Sequence, residues 1–383
     1  PEDGIRDLDS CLVGSEMCIR DSVVTKPEGT GGTVTVGTVA EQMLYEIGDP
    51  QAYLLPDVAC DFSGVTLEQL EEDRVRVAGA RGHGAPDNYK VSATYADGYR
   101  AGQVWTMYGR DADTKAEKLA QLVFARTAMV LDAMGLPPLS ETSVEVVGAE
   151  AHYGAAREIG AVREVDVKLA AKHPSAKGVA VFLKEMVGMA LTAPPGLSGF
   201  AGARPKPSPV VRLFSMLVPK QDVPVTVASV SGTASIAAHR SAAFDPASIV
   251  RPTPPETPPV AEMVEVSLES LAWGRSGDKG DKANIGVIAR HPQFMPWIAA
   301  SLTEQRVADF FAHFLAPGQA RPVERFLMPG PPALNFLLHD VLGGGGTASL
   351  RTDPQGKGYA QLLLGLPVAV PSELARHHTL SIL

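Results

Sequence analysis

The stretch "AWGRSGDKGDKANIGVIAR" (272–290) decides how this chain is read. It sets Gly274, Gly277, Gly280 and Gly286 among Arg275, Lys279, Lys282, Asp278 and Asp281, and it runs out into an apolar, strand-like end. Glycine accepts positive φ and lets other groups approach the bare backbone. Successive N–H groups flanked by Arg275, Lys279 and Lys282 therefore suit a nest for phosphate or carboxylate. The competing reading is a charged β-hairpin whose Asp278 and Asp281 merely pair with the lysines. The residue types alone leave the two even. From Met263 onward the order is strand, glycine loop, strand, helix, strand, helix, a second glycine run and a closing strand. That order predicts a small two-layer α+β unit over 263–372, with a tail at 373–383.

Upstream of it, Pro246, Pro252, Pro254, Pro255, Pro258 and Pro259 crowd a stretch poor in patterned apolar residues. Residues 241–262 are thus expected to form a stiff linker and a domain boundary. Before the linker, strand and helix patterns alternate. Thr38 and Glu41 fit a capping box for a helix bearing Val39, Met43, Leu44 and Ile47 on one face. Asp97-Gly98, between two alternating runs, predicts a hairpin. Helices are expected over about 113–134 and 175–191, each with an apolar stripe, and "EVDVKLAA" reads as a strand. The segment 23–240 is accordingly expected to be α/β.

The opening "CLVGSEMCIRDS" (Cys11–Ser22) has the look of adapter readthrough, so residues 1–22 are set apart as a non-native tag. They hold two of the three cysteines. With Cys60 alone left, no internal disulfide framework is available, and a reducing, cytoplasmic setting is expected. A formal charge of −9 argues against nucleic-acid and membrane-surface partners, which call for basic patches. The apolar run 186–203 carries Pro194 and Pro195 and four glycines, which exclude a spanning helix.

No dinucleotide-binding glycine fingerprint, phosphate-loop lysine motif, paired-histidine zinc motif or serine nucleophile elbow is present. No metal site is expected from the nine scattered histidines. A second glycine-rich stretch, "LGGGGTASLRTDPQGKG" (342–358), is costly to order, and a ligand at Gly343, Gly344, Gly345 and Gly346 would compensate, with Arg351 and Lys357 supplying charge. A floppy loop is the plainer alternative. The turn at Gly29, Gly31 and Gly32 is a weaker anion candidate, since strand-like residues separate it from the next helix.

Five separated blocks, among them "TKPEGTGGTVTVGTVAEQMLYEIGDP", "LTAPPGLSGF", "RSGDKGDKANIGVIAR" and "LNFLLHDVLGGGGTASLRTDPQGK", resemble the acyclic terpene utilisation family over nearly all of residues 23–370. The resemblance implies an α/β N-terminal domain, incomplete here because family members carry more sequence before "TKPEGTGG", followed by a ferredoxin-like C-terminal domain. The absent upstream part makes Val23 an expected exposed edge and a homo-oligomer an expected consequence. The resemblance also implies catabolism of citronellol- and geraniol-type compounds through acyl-CoA thioesters and a biotin-dependent carboxylase. Motif membership covers Arg275, Ser276, Gly277, Asp278, Lys279 and Gly280, then Asn335 and Gly343–Gly346, then Arg351, Asp353, Gly356 and Lys357.

Two functions follow as expectations. One is hydratase- or lyase-type chemistry on a branched acyl-CoA substrate, with no separate cofactor and with Asp278 or Asp353 as general acid–base. The other is a non-catalytic accessory subunit docking onto an acyl-CoA carboxylase. A third, weaker expectation gives the glycine loops a purely structural part.

Overall fold

The computed structural model describes residues 14–17, 21–199, 204–236, 243–259 and 262–379. The chain begins with β1 (Gly14–Met17) and β2 (Asp21–Thr25), then α1 (Val36–Met43), β3 (Tyr53–Leu54), β4 (Ala59–Asp61), β5 (Thr66–Glu71), β6 (Arg74–Ala78) and β7 (Arg81–His83). The strands form two small sheets, ordered β1-β2-β6-β5 and β3-β4-β7. Of the segment set apart as a tag, 14–17 and 21–22 pair in the first sheet, while 1–13 and 18–20 lie outside the described residues. Val23 is not an edge, because it faces Glu16 on one side and Arg76 on the other. The capping box sits three residues earlier than expected. Thr35 is the N-cap, and its hydroxyl accepts from the Thr38 N–H while the Thr38 hydroxyl accepts from the Thr35 N–H.

Next come β8 (Asn88–Tyr108), α2 (Ala112–Ala133), β9 (Glu141–Val147), β10 (Glu164–His173), α3 (Ala176–Ala190), β11 (Leu197–Ser198), β12 (Ser208–Pro219), β13 (Val225–Ser229) and β14 (Gly232–Ile236). The main sheet here runs β11-β8-β10-β9, with β12 added to β8, and β13 and β14 pair separately. Leu119, Val123, Phe182 and Met186 of the two helices pack with Met107, Val167 and Leu169 of the sheet. The hairpin expected at Asp97-Gly98 is corrected: β8 is one strand of 21 residues. It continues because each half finds its own partner, β10 along 99–108 and β12 along 88–100. Gly98 instead sits at a bulge, with φ of 77° opposite a register shift between Pro209 and Val211.

The last part holds β15 (Met263–Ser267), α4 (Leu268–Leu271), β16 (Ala272–Lys279), β17 (Lys282–Ala289), α5 (Met295–Ser301), α6 (Glu304–Phe310), β18 (Val323–Met328), β19 (Ala333–Leu338), α7 (Tyr359–Leu364), β20 (Pro367–Pro371) and α8 (Ser372–Thr379). Its sheet is antiparallel, ordered β16-β17-β19-β18. The connection from β17 to β18 through α5 and α6 skips over β19, which is the split βαβ of ferredoxin-like units. The closing strand β20 stays out of that sheet and pairs with β15, leaving β16 to fill the edge beside β17. Alternation along β17 and β19 sends Ile285, Val287, Leu334 and Phe336 into the core with Ile298, Phe311, Tyr359 and Leu363.

Asn284, Gly286, Ile288, Ala333 and Asn335 are left for the opposite face. α1 and the turn after it cover this face, with Ala40 and Leu44 against Ile288, Met328 and Ala333. The expected two layers thus become three, the third coming from the N-terminal part of the chain. Gly286 permits the approach, since a Cβ there would stand 2.6 Å from the Leu44 Cβ. The proline-rich stretch, described over 243–259, is also tied down. Arg251 forks onto the Asp49 carboxylate and stacks 5.3 Å from the Phe326 ring. Among the described residues no helix is long and apolar enough to cross a membrane.

Candidate functional site

The stretch 272–290 is a hairpin, β16 and β17 joined through Gly280 and Asp281, with Lys279 opposite Lys282. The second glycine run winds through positive φ at Gly343, Gly344 and Gly345 (67°, 97° and 80°). Its N–H groups do receive an anion, and that anion is the chain's own Asp281. One carboxylate oxygen accepts from the Leu342 N–H at 3.2 Å and from the Gly344 N–H at 2.8 Å. The Asp281 carbonyl accepts from Val341. Burial raises the Asp281 carboxyl above its ordinary value, and the two N–H donors only partly offset this. At Gly345 the missing Cβ leaves room for the Gly280 carbonyl, which would lie 2.6 Å from it. The two glycine motifs are the two sides of one internal contact.

The other expected site residues divide. Asp278 and Lys357 come together at 3.1 Å, and Lys357 also reaches Glu46 at 2.8 Å and the Tyr45 hydroxyl at 2.5 Å. Burial pulls the Lys357 ammonium down, but these hydrogen bonds outweigh it and hold it above its usual range. Arg275 stacks 4.6 Å from the centre of the same Tyr45 ring, and Lys279 lies over Tyr53. Gly277 lets Tyr45 close in, since a Cβ there would be 2.7 Å from its ring. Ser276 donates to the Lys357 carbonyl and accepts from Ala360 N–H. Asp353 accepts from the Lys357 and Gly358 N–H groups at the start of α7. Asn335 is fully buried and bonds Asn284 and the carbonyls of Ile47 and Gly48. Arg351 spends its donors on the carbonyls of Val341 and Phe314 and on the Tyr359 hydroxyl.

Segment 346–358 forms a strap between two cavities. One, of about 660 Å³, opens between the strap and strands β8 and β10. Its charged lining is Arg100, Lys168, Lys206 and Arg351, with no carboxylate among the described lining residues. The second, of about 380 Å³, is largely apolar, with Val147, Ala151 and Leu362 in its wall beside His152, Asp353 and Tyr359. Burial pushes the Tyr359 hydroxyl up to about 12, so it stays protonated near neutrality.

Between the cavities stands Glu145 of β9, buried at 7% exposure. Its carboxylate accepts from Thr352 N–H (2.9 Å) and hydroxyl (2.7 Å), from Lys168 (2.5 Å) and from His152 Nε2 (3.1 Å). Burial alone would raise this carboxyl. The hydrogen bonds from His152, Lys168 and Thr352 win and bring it down to about 2. Sequence reasoning missed Glu145, His152, Arg100 and Lys168. The one local signal was a lone carboxylate among the valines of "SVEVV", a place where an unpaired charge would be costly. Among the described residues no group of three or more His, Cys, Asp or Glu side chains could hold a metal ion.

A mixed helix–strand chain with a split βαβ unit at its C-terminal end, packed through a glycine strap onto an N-terminal sheet, defines a two-part protein with a ferredoxin-like module. Comparison with known families gives the particular one. Residues 21–229 match the model of the acyclic terpene utilisation family protein AtuA, and residues 266–369 match that of the AtuA ferredoxin-like domain. The chain belongs to the acyclic terpene utilisation family. Comparisons with curated proteins and with solved structures found no match.

Proposed function

We propose that the chain binds a branched acyl-CoA thioester as its substrate, with the nucleotide phosphates in the cationic groove and the acyl chain in the apolar cavity. The reading is carried by one observation: Arg100, Lys206 and Arg351 line a groove with no described carboxylate in its wall, beside a Lys168 already paired with Glu145, in a chain whose formal charge is −9. Such a field concentrates polyanions. The strap that borders the groove also borders an apolar cavity, matching a ligand that is anionic at one end and apolar at the other. Membership of a family named for acyclic terpene use supports a branched, apolar acyl group.

The test is a thermal-shift titration with geranyl-CoA, citronellyl-CoA and free CoA. Saturation at a hundredfold over Kd should stabilise the chain by about 2.7 kcal/mol, a rise of a few degrees. Lys206 is exposed, so Lys206→Glu should leave the fold intact. It should weaken binding roughly tenfold, equivalent to about 1.4 kcal/mol. Lys279→Ala and Lys357→Ala in the same series separate the hairpin cluster from the groove. Loss of binding in those two alone would move the phosphates to the hairpin. No shift with any CoA species would overturn the reading.

A specific observation favours a second reading, an accessory subunit that docks onto a biotin-dependent carboxylase. The outer halves of β8 and β12 form a two-stranded ribbon that exposes Tyr95, Leu213, Phe214, Met216 and Leu217. Ribbons of two strands are marginal unless something covers them. Co-migration with a purified carboxylase, lost in Phe214→Lys, would support this reading, and separate migration would remove it.

A further inference from the structure

We infer that His152, oriented by Glu145, is the catalytic base of this chain, taking a proton from the carbon next to the thioester carbonyl of a substrate held in the apolar cavity. The inference rests on the proposed thioester binding and adds the reacting group. His152 lines that cavity, and about a quarter of its side chain remains open. Its Nε2 meets the Glu145 carboxylate at 3.1 Å. A carboxylate can only accept, so Nε2 carries the hydrogen, and the tautomer this selects for the neutral ring is the one whose lone pair sits on Nδ1. No described residue bonds Nδ1.

The residue is held through its ring and through its backbone. The His152 main-chain carbonyl accepts from His313 Nε2 at 2.9 Å, and Gly154 packs so closely on the His313 ring that a Cβ would meet it at 2.3 Å. Glu150, two residues earlier, has φ of 53° and accepts from the N–H groups of Glu158 and Ile159, fixing the turn. A non-glycine residue held in the left-handed region beside a cavity is the kind of local strain that clusters at functional sites. Glu145 in turn is fixed by Lys168 and Thr352. This is the base-plus-orienting-acid arrangement by which an enzyme sets a histidine tautomer and stabilises the imidazolium that forms.

The step balances without a further reactant. The C–H bond breaks, its proton forms an N–H bond at Nδ1, and the electron pair passes to the thioester carbonyl as an enolate. Glu145 remains a carboxylate and faces the new imidazolium. Returning the proton reverses the step, so in deuterated water the substrate acquires deuterium at that carbon.

The experiment follows deuterium uptake into citronellyl-CoA by NMR, with binding measured in parallel by thermal shift. The chain should catalyse exchange. His152→Gln should bind the thioester like the original chain and lose roughly a hundredfold or more of the rate, the usual contribution of a general base. His152→Gly should regain exchange when imidazole is added, which a merely structural histidine would not do. Glu145→Gln should slow exchange measured at saturating thioester, where any loss of affinity from a loosened strap does not enter the rate. Undiminished exchange in both His152 variants, or binding without exchange in the original chain, would overturn this inference alone. Failure to bind any thioester would overturn the proposed function and this step with it.

Discussion

At the scale of single residues, the glycine motifs show how far composition reaches. Gly280 and Gly343–Gly346 were expected to cradle a ligand anion, and the N–H groups of Leu342 and Gly344 donate to a carboxylate. What composition did not reveal is that the anion lies in the chain itself, 63 residues from the Gly344 N–H that it accepts. Residue types specify a cradle, while only the fold says what rests in it. Asp281 therefore offers a clean test. Its folded carboxyl is raised, so its ionised form is disfavoured by folding. The associated stability is fully present below the unfolded value and is lost as pH rises through the folded one. Asp281→Asn keeps an oxygen for the Leu342 and Gly344 N–H groups and sheds the buried charge. It should melt at or above the original temperature at neutral pH, the advantage vanishing in acid. Asp281→Ala leaves the donors bare and should cost about 1–3 kcal/mol. Calorimetry at pH 4 and pH 7 distinguishes the two.

Among elements, the long helices and β10 were legible because a single apolar stripe or a clean alternation settles each one locally. Asp97-Gly98 misled because a bulge and a turn ask for the same residues, and only the separate partners of the two halves of β8 decide between them. The covering of the C-terminal sheet by α1 was illegible for a related reason. Gly286 reads as loop chemistry in isolation, yet in a strand it is a hollow that receives Leu44. Leu44 is fully buried, so Leu44→Ala should cost about 2–5 kcal/mol. Gly286→Ala should cost about 1–3 kcal/mol by overpacking. Because each change answers the other, the double variant should cost less than the two added together. Denaturant melts of the four proteins measure the difference, and strict additivity would place Leu44 elsewhere.

Across the whole molecule, the expected picture of separate units joined by a stiff linker left no signal for the groups that bind the parts together. Asn284 and Asn335 reach 44–48, Arg251 reaches Asp49, and Glu145 reaches Thr352. All are polar side chains on otherwise apolar or irregular segments, and their partners lie more than 190 residues away in the chain. Glu145 is the one with a pH signature. Its carboxyl is held at about 2 in the folded chain against an ordinary 4.5. A depressed carboxylate stabilises fully above its unfolded value and loses that contribution as pH falls through the folded one, here between about 4.5 and 2. The full contribution is at most about 3 kcal/mol. Glu145→Gln should therefore lower the melting temperature by several degrees at pH 7 and by progressively less toward pH 3, because below about 4.5 the unfolded chain's carboxyl takes up its proton while the folded one does not. The loss should be local as well. With the tie cut, hydrogen exchange should rise first in 346–358, the strap that borders both cavities, before it rises in the helices α2 and α3 that Glu145 does not hold. A melting gap that stayed constant from pH 7 to pH 3 would mean that the carboxylate charge is not what joins the strap to the N-terminal sheet.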